Sequence, residues 1–199
     1  MLSICVPVRD TVTSEFAYCL AQLTANLSNQ NVPFMLFFEL GSMLPQQRIN
    51  LAKKSIEANA TQILWLDSDM SFPSSVYHLL NKHKKDIVAC TYSTRTPPHK
   101  SVAFTNKFDL SNRLEATTGL HKVYSVGMGC MLVNASVFNK LTAPWFEFKY
   151  SPRYDHFKGE DIYFCELASD AGYDVYVDAD ASKYCSHTGQ QNFTLEDTK

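Results

Sequence analysis

The first half of the chain alternates short apolar runs with amphipathic segments, and this alternation restricts the fold more than any other feature. The apolar runs have the length and composition of buried strands, and the segments between them carry apolar residues at helical spacing. The predicted strands are 3–8, 34–38, 62–66 and 87–92, and the predicted helices are 14–29, 45–58 and 73–84. This order favours an α/β fold, an open and mostly parallel sheet with helices on both faces. The continuous run 34–38 predicts a strand that is buried on both faces.

The second half of the chain is less regular and predicts a small antiparallel element beside the sheet. Residues 104–120 are polar and predict a hairpin or a loop. Residues 123–133 predict one strand that contains Gly127 and Gly129, and a glycine within a strand is typical of a bulge or of close approach by a ligand. A short helix at 136–141, a helix at 159–171 and a last strand at 173–177 follow. These elements complete the predicted sheet.

The length and composition of the chain exclude several classes of protein. A chain of 199 residues predicts one domain over 1–199, and a net charge of −2 provides no basic field for nucleic acid. No apolar run reaches the roughly 18 residues that a membrane span needs, so we expect no membrane insertion. The six cysteines contain no C-x-x-C pair, which indicates reduced thiols and a cytoplasmic protein. Cys185 and His187 lack a second ligand pair for zinc.

Two carboxylates, Asp67 and Asp69, follow the predicted strand 62–66. Carboxylates at alternate positions of an extended segment point the same way, and a pair held together favours a divalent cation between them. This pattern predicts a site for a metal ion and a nucleotide. The alternative is a turn, because Asp and Ser side chains bond neighbouring backbone N–H groups.

Polar side chains follow several of the predicted strands. They are Arg9, Glu39, Asp67, Asp69 and Tyr92. Ligands of open α/β sheets bind at the carboxyl ends of the strands, so we expect these side chains to gather at one edge of the sheet.

The order of motifs resembles the GT-A glycosyltransferases related to family 2. The motifs are Val6-Pro7-Val8-Arg9, Gln47-Arg48-Ile49-Asn50, Ile63-Leu64-Trp65-Leu66-Asp67-Ser68-Asp69, Val126-Gly127-Met128-Gly129-Cys130, Gly159-Glu160-Asp161 and His187. The resemblance covers about residues 2–189. It implies the GT-A fold, with a nucleotide-binding half over about 1–95, an acceptor and catalytic half over about 96–189 and a polar tail at 190–199.

The resemblance implies a metal-dependent transfer of a sugar from a nucleotide sugar, a UDP-sugar above all, to the hydroxyl of a carbohydrate or other acceptor. Asp69, His187 and Asp67 then form the site for Mn²⁺ or Mg²⁺, with Asp69 and His187 as direct ligands and Asp67 in contact with the ribose or a metal-bound water. The sequence specifies neither the sugar nor an oligomeric state.

The resemblance also implies a catalytic base at Asp161, with Glu160 as the rival, provided that transfer inverts the anomeric centre. Acidic residues at the start of a helix are favoured by the helix dipole as well, and this is the alternative for both.

Further donor contacts are implied at Pro7, Arg9, Glu39, Arg48, Ser68 and Gly129. For Arg48 the alternative is an exposed helix arginine. Arg95 and His99 lie on a loop that we interpret first as a connection and second as a cover for the donor.

Two other classes of function compete with this hypothesis. A nucleotidyltransferase is disfavoured because no glycine follows the first strand in Pro7-Val8-Arg9-Asp10-Thr11. A catalytically degenerate sugar-binding or nucleotide-binding module is disfavoured because Asp69, Asp161 and His187 are all present.

Overall fold

The computed structural model describes residues 1–107, 109, 111–152 and 155–189, so the predicted polar tail at 190–199 lies outside the described residues. The strands are Leu2–Val8 (β1), Phe34–Leu40 (β2), Gln62–Leu66 (β3), Met70–Ser71 (β4), Ile87–Ala89 (β5), Ala103–Phe104 (β6), Leu120–Val123 (β7), Ser125–Val126 (β8), Cys130–Asn134 (β9), Lys149–Ser151 (β10), His156–Lys158 (β11), Val175–Asp178 (β12) and Ser186–His187 (β13). The α-helices are Ser14–Asn29 (α1), Leu44–Glu57 (α2), Val76–Asn81 (α3), Glu160–Asp170 (α4) and Ala179–Ser182 (α5). A 3₁₀ helix spans Ala135–Asn139.

Seven strands form the central sheet in the order β2-β1-β3-β9-β5-β12-β7. β2, β1 and β3 are parallel, and so are β5 and β12, whereas β9 and β7 run antiparallel to their neighbours. The prediction of a mostly parallel sheet is therefore confirmed. Three small two-stranded ladders, β10-β11, β13-β4 and β6-β8, accompany it. Two of them, β10-β11 and β6-β8, lie wholly in the second half and supply the antiparallel element predicted there.

Helices cover both faces of the sheet, as the alternating pattern predicts. On one face, the buried side of α1 (Phe16, Leu20, Leu23 and Leu27) packs with α3 and α5 in one apolar cluster. On the other face, α2, α4 and the 3₁₀ helix contribute to a second cluster around Trp65. Alternate residues of each inner strand pack into one cluster or the other, because successive side chains of a strand point to opposite faces of the sheet.

The strand β2 is not buried on both faces, so that prediction was wrong. Leu36, Phe38 and Leu40 are exposed by 36, 38 and 70 %. β2 is an edge strand, and a continuous apolar run does not reveal which strand of a sheet lies at the edge.

The predicted single strand 123–133 is interrupted in the structure. The chain leaves the central sheet after Val123, forms β8 beside β6, and re-enters the sheet at Cys130 as β9. Gly127 and Gly129 lie in this interruption, next to the candidate site. The predicted elements at 73–84 and 87–92 are shorter in the structure, at Val76–Asn81 and Ile87–Ala89.

Candidate active site

A cleft of about 370 Å³ opens at the carboxyl ends of β1, β2 and β3. Its lining comes from the first half of the chain, with His187 added from β13: Pro7, Arg9, Gly41, Ser42, Leu44, Gln47, Asp67, Ser68, Asp69, Arg95 and His187. Six residues that the sequence analysis selected are thus together, namely Pro7, Arg9, Asp67, Ser68, Asp69 and His187.

The segment after β3 is a tight turn, which separates its two carboxylates. The N–H of Met70 donates to the Asp67 carbonyl at 3.1 Å, and the N–H of Asp67 donates to the Gly129 carbonyl at 3.0 Å. Because the backbone turns directly after Leu66, Asp67 and Asp69 do not point the same way as they would in an extended strand. Asp67 pairs with Arg48, and Asp69 pairs with His187. The segment 67–69 therefore forms the turn that its composition predicts, and it also lines the cleft.

Asp69 meets His187 across 118 residues of sequence, with 3.1 Å between Oδ1 and Nε2. The antiparallel pairing of β13 with β4 places His187 opposite Met70, and the N–H of Thr188 donates to the Asp69 carbonyl at 2.8 Å. Two backbone connections therefore hold the side chains together. The chain end that carries His187 is part of the site.

Arg95 adds a positive charge at the point where Asp69 and His187 meet. Its Nη2 lies 2.7 Å from His187 Nε2 and also donates to Asp69 Oδ2. Burial raises the pKa of Asp69, but the hydrogen bond from His187 and the charges of His187 and Arg95 outweigh it and hold this pKa below its usual range. Asp69 is therefore an anion at neutral pH.

Arg48 is a buried link between the cleft and the start of α4. Its side chain is 1 % exposed, Nη2 donates to Asp67 Oδ1 at 2.8 Å, and Nε donates to Glu160 Oε1 at 3.0 Å. Burial opposes the charge of Arg48, but the two carboxylates raise its pKa. The alternative of an exposed helix arginine was wrong, and Arg48 is not among the residues that line the cleft, so its contact with the donor stays a prediction. The buried guanidinium of Arg48 holds the Asp67 carboxylate in place through their ion pair.

Asp161 is the second residue of α4 and follows Glu160, which pairs with Arg48. Its Oδ1 accepts from the N–H of Ile162 at 2.7 Å, and a Cβ on Gly159 would lie 2.5 Å from that oxygen, so glycine gives the carboxylate room. Burial and the negative charge of Glu160 raise the pKa of Asp161 to about 7. A carboxyl group with this pKa exchanges protons near neutral pH, whereas Glu160 is buried in its ion pair with Arg48.

The hydroxyl of Tyr92 fills the interruption between β8 and β9. It accepts from the N–H of Gly129 at 3.1 Å, and its ring lies 5.1 Å from that of His187. A Cβ on Gly127 or on Gly129 would lie 2.6 Å from the hydroxyl oxygen. The structure thus explains both glycines by the approach of Tyr92, and the contact of Gly129 with the donor stays a prediction.

We expect Gly129→Ala to lower the free energy of unfolding by about 1–3 kcal/mol, because the new methyl group overpacks against the Tyr92 ring. Chemical denaturation measures the change, and Gly189→Ala is the control because no atom lies within 4 Å of its Cβ position. Adding Tyr92→Leu should make the cost of Gly129→Ala smaller than in the wild type. An unchanged cost would contradict this explanation.

Three other predicted contacts lie away from the cleft lining. Glu39 is held against α2, where its carboxylate accepts from Asn50 at 2.8 Å and from Lys54 at 2.6 Å. These bonds hold its pKa below the usual range. Glu160 is joined to Asp67 of the cleft by Arg48, and Asp161 is the next residue of α4. Glu39 therefore does not belong to the group of polar side chains that we expected at the carboxyl edge of the sheet.

Gln47 was quoted in a motif but not predicted as a site residue, and Arg95 was interpreted first as part of a connection and only second as a cover for the donor. Gln47 donates from Nε2 to the carbonyls of Val8 at 2.7 Å and Glu39 at 2.6 Å, which joins the ends of β1 and β2. Its position beside Arg48 in the Gln47-Arg48-Ile49-Asn50 motif was the available signal. For Arg95 the only signal in the sequence was its position on this connecting loop.

The predicted trio of metal ligands is only partly assembled. No set of three His, Cys, Asp or Glu side chains that contains Asp69 and His187 has its ligand atoms within 4.8 Å of one another among the described residues. Asp67 is turned instead toward Arg48. The described chain therefore offers one carboxylate and one imidazole at this point.

Comparison with known proteins supports the architecture. No protein-family model and no curated protein matches the chain. Among solved structures, A197 from STIV is similar over 98 % of this chain and 98 % of its own, with a TM-score of 0.57 and 13 % identity. A mutant of a Drosophila β-1,4-galactosyltransferase 7, in complex with manganese, UDP-Gal and xylobiose, is similar over 100 % of this chain and 79 % of its own. Its TM-score is 0.54 and its identity 13 %.

The chain has a GT-A-like fold. At these identities the likeness extends to the fold alone, so the roles of individual side chains rest on the geometry of the cleft. Of the helices in the described ranges, none combines the length and the apolar character that crossing a bilayer requires.

Proposed function

We propose that this protein is a metal-dependent glycosyltransferase that moves a sugar from a nucleotide sugar, a UDP-sugar above all, to an acceptor hydroxyl. One observation carries the proposal: Asp69 and His187 meet at 3.1 Å in a cleft at the carboxyl edge of a GT-A-like sheet. The galactosyltransferase with a similar fold was crystallised with manganese and UDP-Gal, which supports the same class of donor.

Asp69 and His187 would hold the divalent cation, Mn²⁺ or Mg²⁺. The fit rests on two features of the cleft. An anionic oxygen and an imidazole nitrogen suit Mn²⁺, and the guanidinium of Arg95 already places a cation against both atoms. The Arg95 side chain is 47 % exposed on its loop, so it can move away from them. When bound, the cation neutralises the negative charge that develops on the departing diphosphate.

The donor lies along the cleft. Pro7, Arg9 and Ser68 line the part near β1 and bind the nucleoside, and Arg95 covers the diphosphate from its loop. Asp67, held at Oδ1 by Arg48, contacts the ribose or a metal-bound water. Arg48 acts through Asp67, because a side chain that is 1 % exposed does not reach the ligand itself.

Asp161 is the general base. Its pKa of about 7 lets it take the proton from the acceptor hydroxyl as that oxygen attacks the anomeric carbon. Glu160 is disfavoured for this role because its carboxylate is buried and already accepts from Arg48 Nε at 3.0 Å. The assignment applies to an inverting transfer.

The acceptor approaches beside the hairpin β10-β11. Tyr150 and Phe157 are exposed by 47 and 65 %, and their rings lie 5.5 Å apart. Exposed aromatic rings of this kind suit the apolar face of a sugar, which supports a carbohydrate acceptor.

Thermal unfolding with UDP, GDP and CMP, each with and without Mn²⁺, tests the donor site. We expect UDP with Mn²⁺ to stabilise the protein, by about 2.7 kcal/mol at one hundred times the dissociation constant, because the ligand binds the folded state. Asp69→Asn and His187→Gln should lose the metal-dependent part of this shift.

Asp86→Asn is the control for these variants, because Asp86 is exposed at the amino end of β5, away from the cleft. No stabilisation by any of the nucleotides would overturn the donor assignment. Stabilisation without metal-dependent hydrolysis of the UDP-sugar, or transfer from it, would identify a binding module instead of an enzyme.

A further inference from the structure

Three cysteine side chains converge behind the candidate active site. The Sγ atoms of Cys90, Cys130 and Cys185 all lie within 4.8 Å of one another. Cys90 and Cys130 are fully buried, and Cys185 is 8 % exposed. In the described part of the chain, this is the only set of three or more His, Cys, Asp or Glu side chains that is grouped so closely.

The backbone holds each of the three thiols in place. Cys90 follows β5 and donates its N–H to the carbonyl of Cys130 at 2.9 Å, across the ladder between β5 and β9. Cys130 also pairs with Leu66 of β3 on its other side. The N–H of Cys185 donates to the Ser182 carbonyl at 3.1 Å at the end of α5. The backbone around β5, β9 and α5 therefore places the three sulfur atoms close together before any ligand binds.

The spacing and chemistry of this cluster suit a soft metal ion. Two thiolates that bind one zinc ion at about 2.3 Å each lie at most about 4.6 Å apart, so the observed spacing requires little movement. Thiolates select Zn²⁺ and Cu⁺ over the hard cations that oxygen ligands prefer. No carboxylate or imidazole of the described residues joins the group, which separates it from the Asp69–His187 pair.

The other cysteines do not share this arrangement. Cys5 lies with the hydroxyls of Ser3 and Ser55 at 3.5 and 3.1 Å, and Cys165 donates to the Val126 carbonyl at 3.8 Å. Buried cysteines with such polar partners behave as ordinary core residues. Convergence of three thiols from separate segments is therefore particular to this cluster.

We propose that Cys90, Cys130 and Cys185 form a binding site for one thiophilic d¹⁰ metal ion, Zn²⁺ or Cu⁺. The ion replaces the three thiol protons and joins the ends of β5 and β9 to the segment before β13. Cys185 lies two residues before His187, Cys130 follows Gly129, and Cys90 lies two residues before Tyr92. The ion thereby stabilises the backbone behind the cleft.

Metal titration of the complete, reduced and metal-free protein tests the site. Zn²⁺ is titrated against a chromophoric chelator, and Cu⁺ is titrated without oxygen against a Cu⁺-selective ligand. We expect one equivalent of at least one ion to bind, with a thiolate-to-metal charge-transfer band for Cu⁺ and a higher midpoint of thermal unfolding. The ion that binds more tightly identifies the occupant.

Cys130→Ser and Cys185→Ser should each weaken binding by about 100-fold or more, because one of three ligands is lost. Cys165→Ser, at an equally buried cysteine outside the cluster, should bind as the wild type does. Cys185→Ser lies at the more exposed position and serves if Cys130→Ser does not fold. Failure of both ions to bind would overturn the proposal, as would wild-type affinity in folded Cys185→Ser or equal loss in Cys165→Ser.

Discussion

Asp161→Asn is expected to lower kcat for sugar transfer by about 10²–10⁴-fold, because asparagine has no basic oxygen to accept the proton of the attacking hydroxyl. The amide group of the variant retains an oxygen for the N–H of Ile162, so the start of α4 and the binding of UDP with Mn²⁺ should be preserved. Steady-state transfer assays and UDP thermal shifts measure the two properties. Asp170→Asn, at the exposed end of the same helix, is the matched control.

The same carboxyl group predicts the pH profile of the wild type. The anion of Asp161 is the reactive form, so kcat/KM should rise with pH up to about 7 and then level off. This limb should be absent from the residual activity of Asp161→Asn. A profile that is flat between pH 5 and pH 8 would contradict the assignment of Asp161 as the base.

Stability should change in the opposite direction to activity. The folded state holds the Asp161 proton more tightly than the unfolded chain does, because its pKa is raised from 3.8 to about 7. Its contribution to stability is therefore present below pH 4 and is lost as the pH rises through 7. Above pH 7, Asp161→Asn should be more stable than the wild type by roughly 1–4 kcal/mol, since it removes a buried charge. Denaturation of both proteins at pH 4 and pH 8 measures this difference.

Arg48→Met is expected to lower the free energy of unfolding by about 3–5 kcal/mol, because it leaves Asp67 and Glu160 without their buried partner. Arg48→Lys should recover only part of this loss, since one ammonium group does not reproduce the fork of a guanidinium that reaches both carboxylates. Chemical denaturation at pH 7 measures each variant.

Lys54→Met is the control for Arg48. Lys54 pairs with Glu39 at 2.6 Å, but its side chain is 47 % exposed, so its loss should cost less than about 1 kcal/mol. Adding Glu160→Gln to Arg48→Met should restore part of the stability, because one of the two unpaired charges is removed. A cost for Arg48→Met as small as that for Lys54→Met would show that the buried pairs are not what stabilises this part of the fold.

The position of a carboxylate after β3 was predictable because its signals are local. Gln62–Leu66 is an apolar run of strand length, and Asp67 and Ser68 are residues that form turns. The start of α1 was predictable for the same reason, since Thr13 caps it by accepting from the N–H of Phe16 at 3.1 Å.

Residues whose roles depend on packing were harder to predict. Nothing near Arg48 in the sequence shows that it is buried, because its partner Glu160 is 112 residues away. The exposed face of β2 was missed since an apolar run looks alike at the centre and the edge of a sheet. The glycines near β9 were predicted to admit a ligand, and the structure places the Tyr92 hydroxyl there.

The sequence by itself determined the α/β class, the order of the main strands and helices in the first half of the chain, and the carboxylates that follow β3, because side-chain periodicity and turn chemistry act over a few residues. Only the tertiary structure decided that His187 meets Asp69, that Arg48 joins Asp67 to Glu160, and that three cysteines share one point. These contacts follow from which strands become neighbours in the sheet. Which strands become neighbours depends on the packing of the whole core, so no single position of the sequence reveals it.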